Sequence, residues 1–418
     1  MSRTGRFRLL IGLMIALVLA LAVAPMAPVA AKITEFAKLP ETGLSALLPS
    51  LEKLPVSLSV MMVGAHPDDE DNSLMAYLAK GVHADAYYLV SNWGEGGQNE
   101  IGPELYTALG ALRRQELLAA RALDGGVQLY LGSYDFGFSK SGEETFTKWD
   151  RQKLLENFVR IIRTYRPDVM ITHHDTVSGH GHHQAVGMLI IDAFDAAADP
   201  NVFPEQITNE GLQPHQVAKL YRSNSQQPTV LVDVGQYSPA LGKSFYEIGE
   251  LARGMHKCQG MGGRPAKGSM IRRYQLIESA VGIPESENSI ADGIGLNLGE
   301  IAVGLAGDPA ALDSITAEAV AIERIARAIV AEFDVRNMTS VLPMVLDGLK
   351  RVRALAEKVA VADIDASSSA TLLVRLNNKI ADFENVASML LGVSADAVAS
   401  DTEVVPGQEF DVTVSVWN

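Results

Sequence analysis

The stretch Leu58-Ser-Val-Met-Met-Val-Gly64, followed at once by Ala65-His-Pro-Asp-Asp-Glu70, decides the fold class. A short apolar run that ends at a glycine is typical of a strand buried on both faces. The aspartates after it are typical of a helix start, because their carboxylates accept hydrogen bonds from the free amides of a first helical turn. The two segments therefore predict a buried strand that leads through a polar turn into a helix.

The same alternation of apolar runs and helical patterns continues to about residue 234. Parallel strands need long crossover connections, so strands that alternate with helices indicate a mostly parallel sheet covered by helices on both faces. The predicted fold class is therefore α/β. The further predicted strands are 86–90, 127–131, 168–172, 217–222 and 229–234, and the predicted helices are 70–80, 107–123, 151–165 and 182–197.

The composition changes after about residue 283, where Ala, Leu, Val and Glu dominate and aromatic residues become few. Apolar residues recur at helical spacing at 312–335, 342–361 and 372–391, which predicts amphipathic helices packed against one another. We therefore expect an all-α helical region after the α/β domain.

The final residues alternate strictly between apolar and polar from Phe410 to Val416, which predicts a half-buried strand. One strand cannot stand alone, so we expect a β-sandwich to begin here and the natural chain to continue beyond Asn418. The predicted domains are a leader at 1–31, a Rossmann-like α/β domain at 32–285, a helical region at 286–400 and the first strand of the sandwich at 401–418.

The first 31 residues have the pattern of a secretory leader. Three arginines, Arg3, Arg6 and Arg8, precede an apolar run at 9–24, and small residues close the segment at Val29-Ala-Ala31. Prolines inside the segment break a helix before it would cross a bilayer. We therefore expect a protein that is secreted, periplasmic or on the cell surface, and that meets a membrane only through an uncleaved leader.

Charge and cysteine content narrow the classes of function. The chain has 35 Lys and Arg against 50 Asp and Glu, a formal net charge of −15 at pH 7. No basic cluster is present, so a nucleic-acid partner is excluded. The single cysteine, Cys258, cannot form an internal disulfide and is expected to be a small buried filler. Any metal must therefore be held by histidines and carboxylates.

Histidines are concentrated in a second polar segment, which follows the predicted strand at 168–172. It contains His173-His-Asp175 and then Gly179-His-Gly-His-His-Gln-Ala185. This segment and the turn at 65–70 both follow strands of one parallel sheet, so both lie at the edge where open α/β sheets bind their ligands. We expect His83, His215 and His256 to be structural, and at least one of His173 and His174 to have a packing role.

The residue types in the two segments match a catalytic metal centre. Two imidazoles and one carboxylate leave a coordination position open for water, which is typical of catalytic zinc. A neighbouring carboxylate that does not bind the metal can accept the proton of that water. His66 supplies one ligand and one of Asp68 and Asp69 supplies the next, and the spacing leaves open which aspartate it is.

The third ligand is expected from a helix that begins near Gly181. On such a helix His180 and His183 lie three residues apart and share a face, whereas His182 points elsewhere. We therefore interpret His182 as a residue that orients a ligand from behind.

These two segments resemble the PIG-L/LmbE-like family of zinc-dependent de-N-acetylases. The resemblance covers roughly 55–275 and includes 94–105, 109–116 and 135–140. It implies a Rossmann-like fold and removal of acetyl groups from amino-sugar conjugates. Where characterised members often carry aspartate, this chain has His182.

The resemblance also implies a role for each residue of the two segments. His66, Asp69 and His183 would hold one Zn2+ per chain, with Fe2+ as the other metal that this donor set accepts. Asp68 would be the general base, and a protonated His180 would stabilise the oxyanion. The predicted function is hydrolysis of a small-molecule or glycan substrate that carries an N-acetyl group.

The predicted substrate contacts lie on a glycine-rich loop at 94–102 and on the helix after it. Glycine lets a ligand approach the backbone closely, and a guanidinium can hydrogen-bond sugar hydroxyls or phosphate. The predicted contacts are Gly96, Gly97, Asn99 and Arg113.

Three other interpretations follow from the same residues. Two histidines and a carboxylate, read as His66-x-Asp68 with a distant histidine, also form the facial triad of non-haem Fe(II) oxygenases. A secreted carbohydrate-binding protein without catalysis would need no base at Asp68. A scaffold with structural zinc would need a fourth protein ligand, and the sequence shows none.

Overall fold

The computed structural model describes residues 43–223, 226–282 and 287–418. The predicted leader at 1–31 and the predicted junction between the α/β domain and the helical region at 285–286 lie outside the described residues. Within those ranges, no helix has the length and apolarity needed to cross a membrane.

The centre of the fold is a seven-stranded sheet with the strand order β3-β2-β1-β4-β5-β9-β6. β1 to β5 are parallel to one another, and β9 runs antiparallel to both β5 and β6. The predicted α/β class with a mostly parallel sheet is confirmed. The strands of the sheet are β1 (Ser59–Gly64), β2 (Asp85–Val90), β3 (Val127–Tyr130), β4 (Val169–Thr172), β5 (Lys219–Ser223), β6 (Val230–Asp233) and β9 (Ile271–Ser279), and a separate short hairpin joins β7 (Tyr237–Ser238) to β8 (Lys243–Ser244).

β1 lies near the middle of the sheet, where the strand order reverses. All six of its residues are buried, as expected of a strand covered on both faces. It pairs with β2 on one side and with β4 on the other. A crevice therefore opens at the carboxyl ends of β1 and β4, which is where open α/β sheets bind ligands.

β9 was not expected from the sequence, and it changes the neighbours of the last strands. The prediction extended the sheet with 217–222 and 229–234, but β9 lies between β5 and β6 and pairs with both. Its sequence carries Arg272 and Arg273, and Tyr274 is its one buried residue. Pairing on both sides, rather than an apolar pattern, makes this segment a strand.

Helices cover both faces of the sheet and form a second layer beyond it. Each predicted helix is present, and five further helices among the described residues, α1, α4, α7, α8 and α9, were not predicted. The helices are α1 (Leu44–Lys53), α2 (Asn72–Lys80), α3 (Tyr106–Asp124), α4 (Gly142–Phe146), α5 (Arg151–Tyr165), α6 (Gly181–Ala196), α7 (Glu205–Thr208), α8 (Phe245–Arg253), α9 (Leu298–Val303), α10 (Pro309–Glu332), α11 (Leu342–Val359) and α12 (Ala366–Leu391).

The helical layer, formed by α1 and α9 to α12, has a hydrophobic core of its own. It meets the sheet at the amino ends of the strands. There Arg375 of α12 contacts Asp168, which precedes β4, at 2.9 Å, and Lys53 of α1 contacts Asp85 of β2 at 2.8 Å. The helical layer therefore covers the edge of the sheet opposite to the crevice.

The C-terminal residues form a hairpin. α12 ends at Leu391, and Gly392 follows in the left-handed conformation with φ of 69°, which glycine adopts without strain. β10 (Ser394–Ala399) then pairs antiparallel with β11 (Val412–Trp417). The helical region therefore ends before residue 400, and the strand within 401–418 is the second of a pair. Alanine-rich β10 lacks strand propensity by itself, and its pairing with the valines of β11 makes it a strand.

Candidate active site

The crevice brings the two polar segments together. The turn after β1 carries His66, Asp68 and Asp69, and α6, which follows β4 and its loop, begins at Gly181. Although 117 positions separate them, His66 Nδ1 and His183 Nε2 lie 3.1 Å apart. The convergence follows from the strand order, because β1 and β4 are adjacent and parallel.

Three donor atoms in the crevice have the spacing of a metal site. His66 Nδ1 lies 3.3 Å from Asp69 Oδ2, and His183 Nε2 lies 3.5 Å from Asp69 Oδ1. A tetrahedral zinc ion with bonds of about 2.0–2.1 Å separates its ligands by about 3.3 Å. The observed separations, 3.1 to 3.5 Å, are of that size, with the two distances to Asp69 measured to different oxygens of its carboxylate. The residues present therefore fit zinc.

Backbone amides fix the carboxylate of this trio. Asp69 Oδ2 accepts hydrogen bonds from the amides of Ala65 at 3.0 Å and His66 at 2.7 Å. Burial alone would raise the pKa of Asp69, but the imidazoles of His174 and His66 outweigh it and hold that pKa well below its usual value. The carboxylate is therefore ionised, and its orientation is fixed before any cation binds.

Gly64, which ends β1, leaves space for the side chains that pack against the turn. A Cβ on Gly64 would overlap the hydroxyl of Tyr88 and lie 2.9 Å from Cβ of Asp69. That hydroxyl donates a hydrogen bond to the carbonyl of His66 at 2.7 Å. A side chain at residue 64 would therefore push apart the contacts that hold the ligand turn.

His182 contacts the far side of His66. Its Nδ1 lies 3.0 Å from His66 Nε2, the nitrogen that does not face Asp69. The ring is fully buried, stacked on Trp149 at 4.6 Å and edge-on to Phe136 at 4.4 Å. Burial and the neighbouring His66 lower its pKa to about 2, so the ring stays neutral. Such a contact fixes the tautomer and orientation of a metal-binding imidazole.

Among the described residues, two other trios of donors lie close enough for a metal, and each shares a residue with the first. One needs His182, which is enclosed by aromatic rings. The other needs His173 and His174, but His174 Nε2 already accepts the amide of Ala65 at 3.0 Å. The trio of His66, Asp69 and His183 is therefore the strongest candidate.

His180 lies at the entrance of α6. Its Nδ1 accepts a hydrogen bond from the amide of His182 at 3.0 Å, which caps the helix. Burial and the nearby His66 and His183 lower the pKa of His180 to about 4. A neutral ring whose Nδ1 is occupied in this way carries its one proton on Nε2 and can still donate it, without the protonation that was expected.

The Asp68 carboxylate contacts Arg113 and is not one of the donor trio. Its Oδ1 lies 2.6 Å from Arg113 Nη2, and Arg113 is only 2% exposed. Arg113 was expected to contact substrate, but its guanidinium instead binds this carboxylate. The carboxylate that joins His66 and His183 is Asp69, so the structure does not assemble the His66-x-Asp68 triad.

The other predicted substrate contacts also face protein atoms. A Cβ on Gly97 would lie 2.5 Å from Nη1 of Arg113, and one on Gly96 would lie 2.5 Å from the amide of Gly137. Asn99 donates to the carbonyl and carboxylate of Glu104 and accepts the amides of residues 101 and 102. These residues shape the loop, so their expected contacts with substrate are not supported.

Phe138 is a site residue that sequence reasoning missed. Its ring is 77% exposed, and the ring centre lies 5.2 Å from that of His180. An exposed aromatic ring beside a catalytic candidate offers a stacking surface to a sugar or an acyl group. The segment 135–140 was singled out by resemblance, but nothing in the sequence distinguished Phe138 from a core residue.

Comparison with known proteins identifies related sequences. The family model PIG-L, GlcNAc-PI de-N-acetylase, matches residues 61–194. Mycothiol S-conjugate amidase of Streptomyces coelicolor is 31% identical over 204 residues, which are 44% of this chain and 68% of the relative. 1D-myo-inositol 2-acetamido-2-deoxy-alpha-D-glucopyranoside deacetylase 2 of Saccharopolyspora erythraea is 31% identical over 163 residues, which are 35% of this chain and 59% of that relative.

Among solved structures, N,N'-diacetylchitobiose deacetylase of Pyrococcus horikoshii is 19% identical with a TM-score of 0.40, covering 48% of this chain and 70% of that protein. The sequence relatives carry the assignment, since the amidase is matched over more than two thirds of its length. The chain belongs to the PIG-L family of de-N-acetylases.

Proposed function

We propose that this protein is a zinc-dependent hydrolase that removes the N-acetyl group from an amino-sugar conjugate. The observation that carries the proposal is the trio of His66, Asp69 and His183 at ligand spacing, with the carboxylate of Asp68 beside it and outside it. Relatives named as an amidase and a deacetylase of an acetamido sugar support the reaction class.

The chemistry divides between the metal and the side chains around it. His66, Asp69 and His183 would hold a zinc ion, which would act as a Lewis acid and lower the pKa of water in the site toward neutrality. Asp68 accepts a proton from the attacking water as its oxygen bonds to the acetyl carbon. The C–N bond then breaks, Asp68 returns the proton to the amine, and acetate and a free amino sugar leave.

His180 stabilises the negative charge that develops on the carbonyl oxygen. Because Nδ1 is occupied by the amide of His182, the proton of the neutral ring is on Nε2, where it can be donated. A fixed donor of this kind contributes about 10²- to 10³-fold to the rate. The neutral ring can therefore act as a donor without binding a second proton.

A panel of N-acetylated amino sugars tests the proposal. Purified protein is incubated with each sugar, with and without zinc after treatment with a chelator, and acetate and free amine are measured. We expect equal amounts of acetate and amine from at least one sugar, lost on chelation and restored by zinc. Turnover that consumes oxygen with a keto acid, or sugar binding without acetate release, would contradict it.

A further inference from the structure

Glu70, which follows Asp69 in the turn after β1, is buried and is bound by three donors. Its Oε1 lies 2.8 Å from Nε2 of His256, and the side chains of both residues are buried. A carboxylate only accepts hydrogen bonds, so the imidazole donates this one. Asn72 and Arg121 donate to the same oxygen at 2.9 Å and 3.0 Å. His256 is thus fixed, through Glu70, to the turn after β1.

His256 begins a short segment at 256–260, which we call the tether. The second anchor of the tether is Cys258, whose side chain is fully buried and whose amide donates to Glu116 Oε1 of α3 at 2.7 Å. A single 3₁₀ turn, Lys257–Gln259, sets the spacing between the two anchors. The tether is therefore held at both anchors by buried contacts.

The tether holds the outer half of the glycine-rich loop, residues 98–104. The carbonyl of Cys258 accepts the amide of Glu100 at 2.9 Å, and Gln259 Nε2 donates to the carbonyl of Gln98 at 2.6 Å. Among the described residues, these are the two hydrogen bonds that 98–104 makes beyond its own loop. The position of this half of the loop therefore depends on the tether.

The inner half of the same loop borders the proposed active site. Glu95 Oε2 accepts the amide of Asp135 at 3.2 Å. Three positions after Asp135, Phe138 places its ring centre 5.2 Å from that of His180. The glycine-rich loop thus extends from the edge of the crevice to the tether.

We propose that His256 is a positioning residue for the glycine-rich loop, and this inference rests on the proposed function. Through the tether, His256 fixes 98–104 relative to the turn that carries the proposed zinc ligands His66 and Asp69. The loop then forms a wall of the crevice that is in place before the amino sugar enters. Such a preformed wall lowers KM, because substrate binding does not have to order the loop.

Steady-state kinetics with the N-acetylated amino sugar that is turned over fastest test this role. Gln259→Ala removes one bond to the loop and leaves the buried anchors intact, so we expect KM to rise about 3- to 10-fold, the range that one hydrogen bond contributes. The value of kcat should change less than about twofold, because neither the donor trio nor Asp68 is altered. Gln236→Ala is the matched control and should keep its KM, since Gln236 also donates to a backbone carbonyl, that of Asp233 at 2.9 Å, in an exposed loop.

Substitution of His256 tests the link to the turn after β1. His256→Phe keeps a ring and removes the donor, while Glu70 keeps Asn72 and Arg121, so KM should rise at least as much as in Gln259→Ala. His256→Gln keeps an amide donor and should recover part of that loss. A role in stability alone would lower the urea midpoint and leave KM per folded molecule unchanged. An unchanged KM in both His256→Phe and Gln259→Ala would overturn the inference.

Hydrogen exchange in the metal-free protein keeps this inference separate from the proposed function. The peptide that contains 98–104 should exchange at least about threefold faster in Gln259→Ala and in His256→Phe than in the unmodified protein. The peptide of β4 is the internal reference, because a general loss of stability would accelerate both peptides equally. Unchanged exchange of 98–104 would refute the link between loop and tether. Failure of the unmodified protein to release acetate would refute the proposed function alone, and the exchange rates would still decide whether the tether holds the loop.

Discussion

The two edges of the parallel sheet use polar residues in opposite ways. At the amino ends of the strands, charges of opposite sign lie in contact, as in the pair of Arg375 and Asp168 at 2.9 Å. Asp168 also accepts the amide of Ser59 at 2.8 Å, which joins two neighbouring strands. At the carboxyl ends, His66 and His183 place two ring nitrogens 3.1 Å apart.

The difference indicates that the two edges of the sheet have different roles. Arg375 and Asp168 balance each other's charge without any ligand, and Nε and Nη1 of the guanidinium have no hydrogen-bond partner among the described residues. Two imidazole nitrogens at hydrogen-bond distance can share one proton at most, and Asp69 adds two acceptor oxygens beside them. A divalent cation satisfies all three groups together. The carboxyl edge is therefore arranged for an ion, while the amino edge is arranged for stability.

The largest expected effect is the loss of the metal from the carboxyl edge. His183→Ala removes one of three ligands, so we expect the purified variant to retain less than a tenth of the zinc and to release no acetate above background. Metal analysis after dialysis and acetate detection measure the two effects. His173→Ala is the matched control, because that ring follows β4 but lies outside the trio. Full zinc in His183→Ala would show that another trio binds it.

A smaller effect on the same edge separates the base from the ligands. Asp68→Ala should keep its zinc, because Asp68 contacts Arg113 and is not one of the trio. Acetate release should fall by about 10²- to 10⁴-fold, the usual contribution of a general base. Kinetics and metal analysis on the same preparation test both statements. Full activity on every substrate turned over would refute the assignment of Asp68 as the base.

Local patterns were enough to predict the carboxyl edge. The apolar run of β1 predicts a strand by itself, and parallel topology then places its following turn beside the residues that follow β4. β9 could not be predicted in this way. Arg272 and Arg273 interrupt any apolar pattern in its sequence, and pairing with β5 and β6 makes the segment a strand.

The partners of individual side chains were harder to predict. Arg113 is 45 positions from Asp68, and no spacing rule connects the middle of a helix with a turn after another strand. Sequence reasoning assigned Arg113 to substrate, which stays a prediction, and did not foresee its contact with Asp68. The same limit applied to Asn99, whose partners are the atoms of its own loop.

At the amino edge, the comparison predicts a variant that is less stable but equally active. Arg375→Ala leaves Asp168 buried without its cation, which should lower the free energy of unfolding by about 3–5 kcal/mol. Zinc content and acetate release per folded molecule should not change. Arg353→Ala is the matched control: its pair with Glu384 is exposed, so about 0–1 kcal/mol is expected. Equal losses in the two variants would contradict the distinction between the edges.

The smallest expected effect is the pH dependence of that loss. Burial raises the pKa of Asp168, and the charge of Arg375 partly opposes the rise. Arg375→Ala removes this positive charge, so the pKa of Asp168 in the folded variant rises further above the unfolded value of about 3.9. The folded variant then binds a proton that the unfolded chain does not, and its stability increases as the pH falls toward that value. Urea unfolding at pH 7 and pH 5 should therefore show a smaller difference between variant and unmodified protein at pH 5. A difference that stays constant, or grows on acidification, would mean that Arg375 acts through packing rather than through its charge on Asp168.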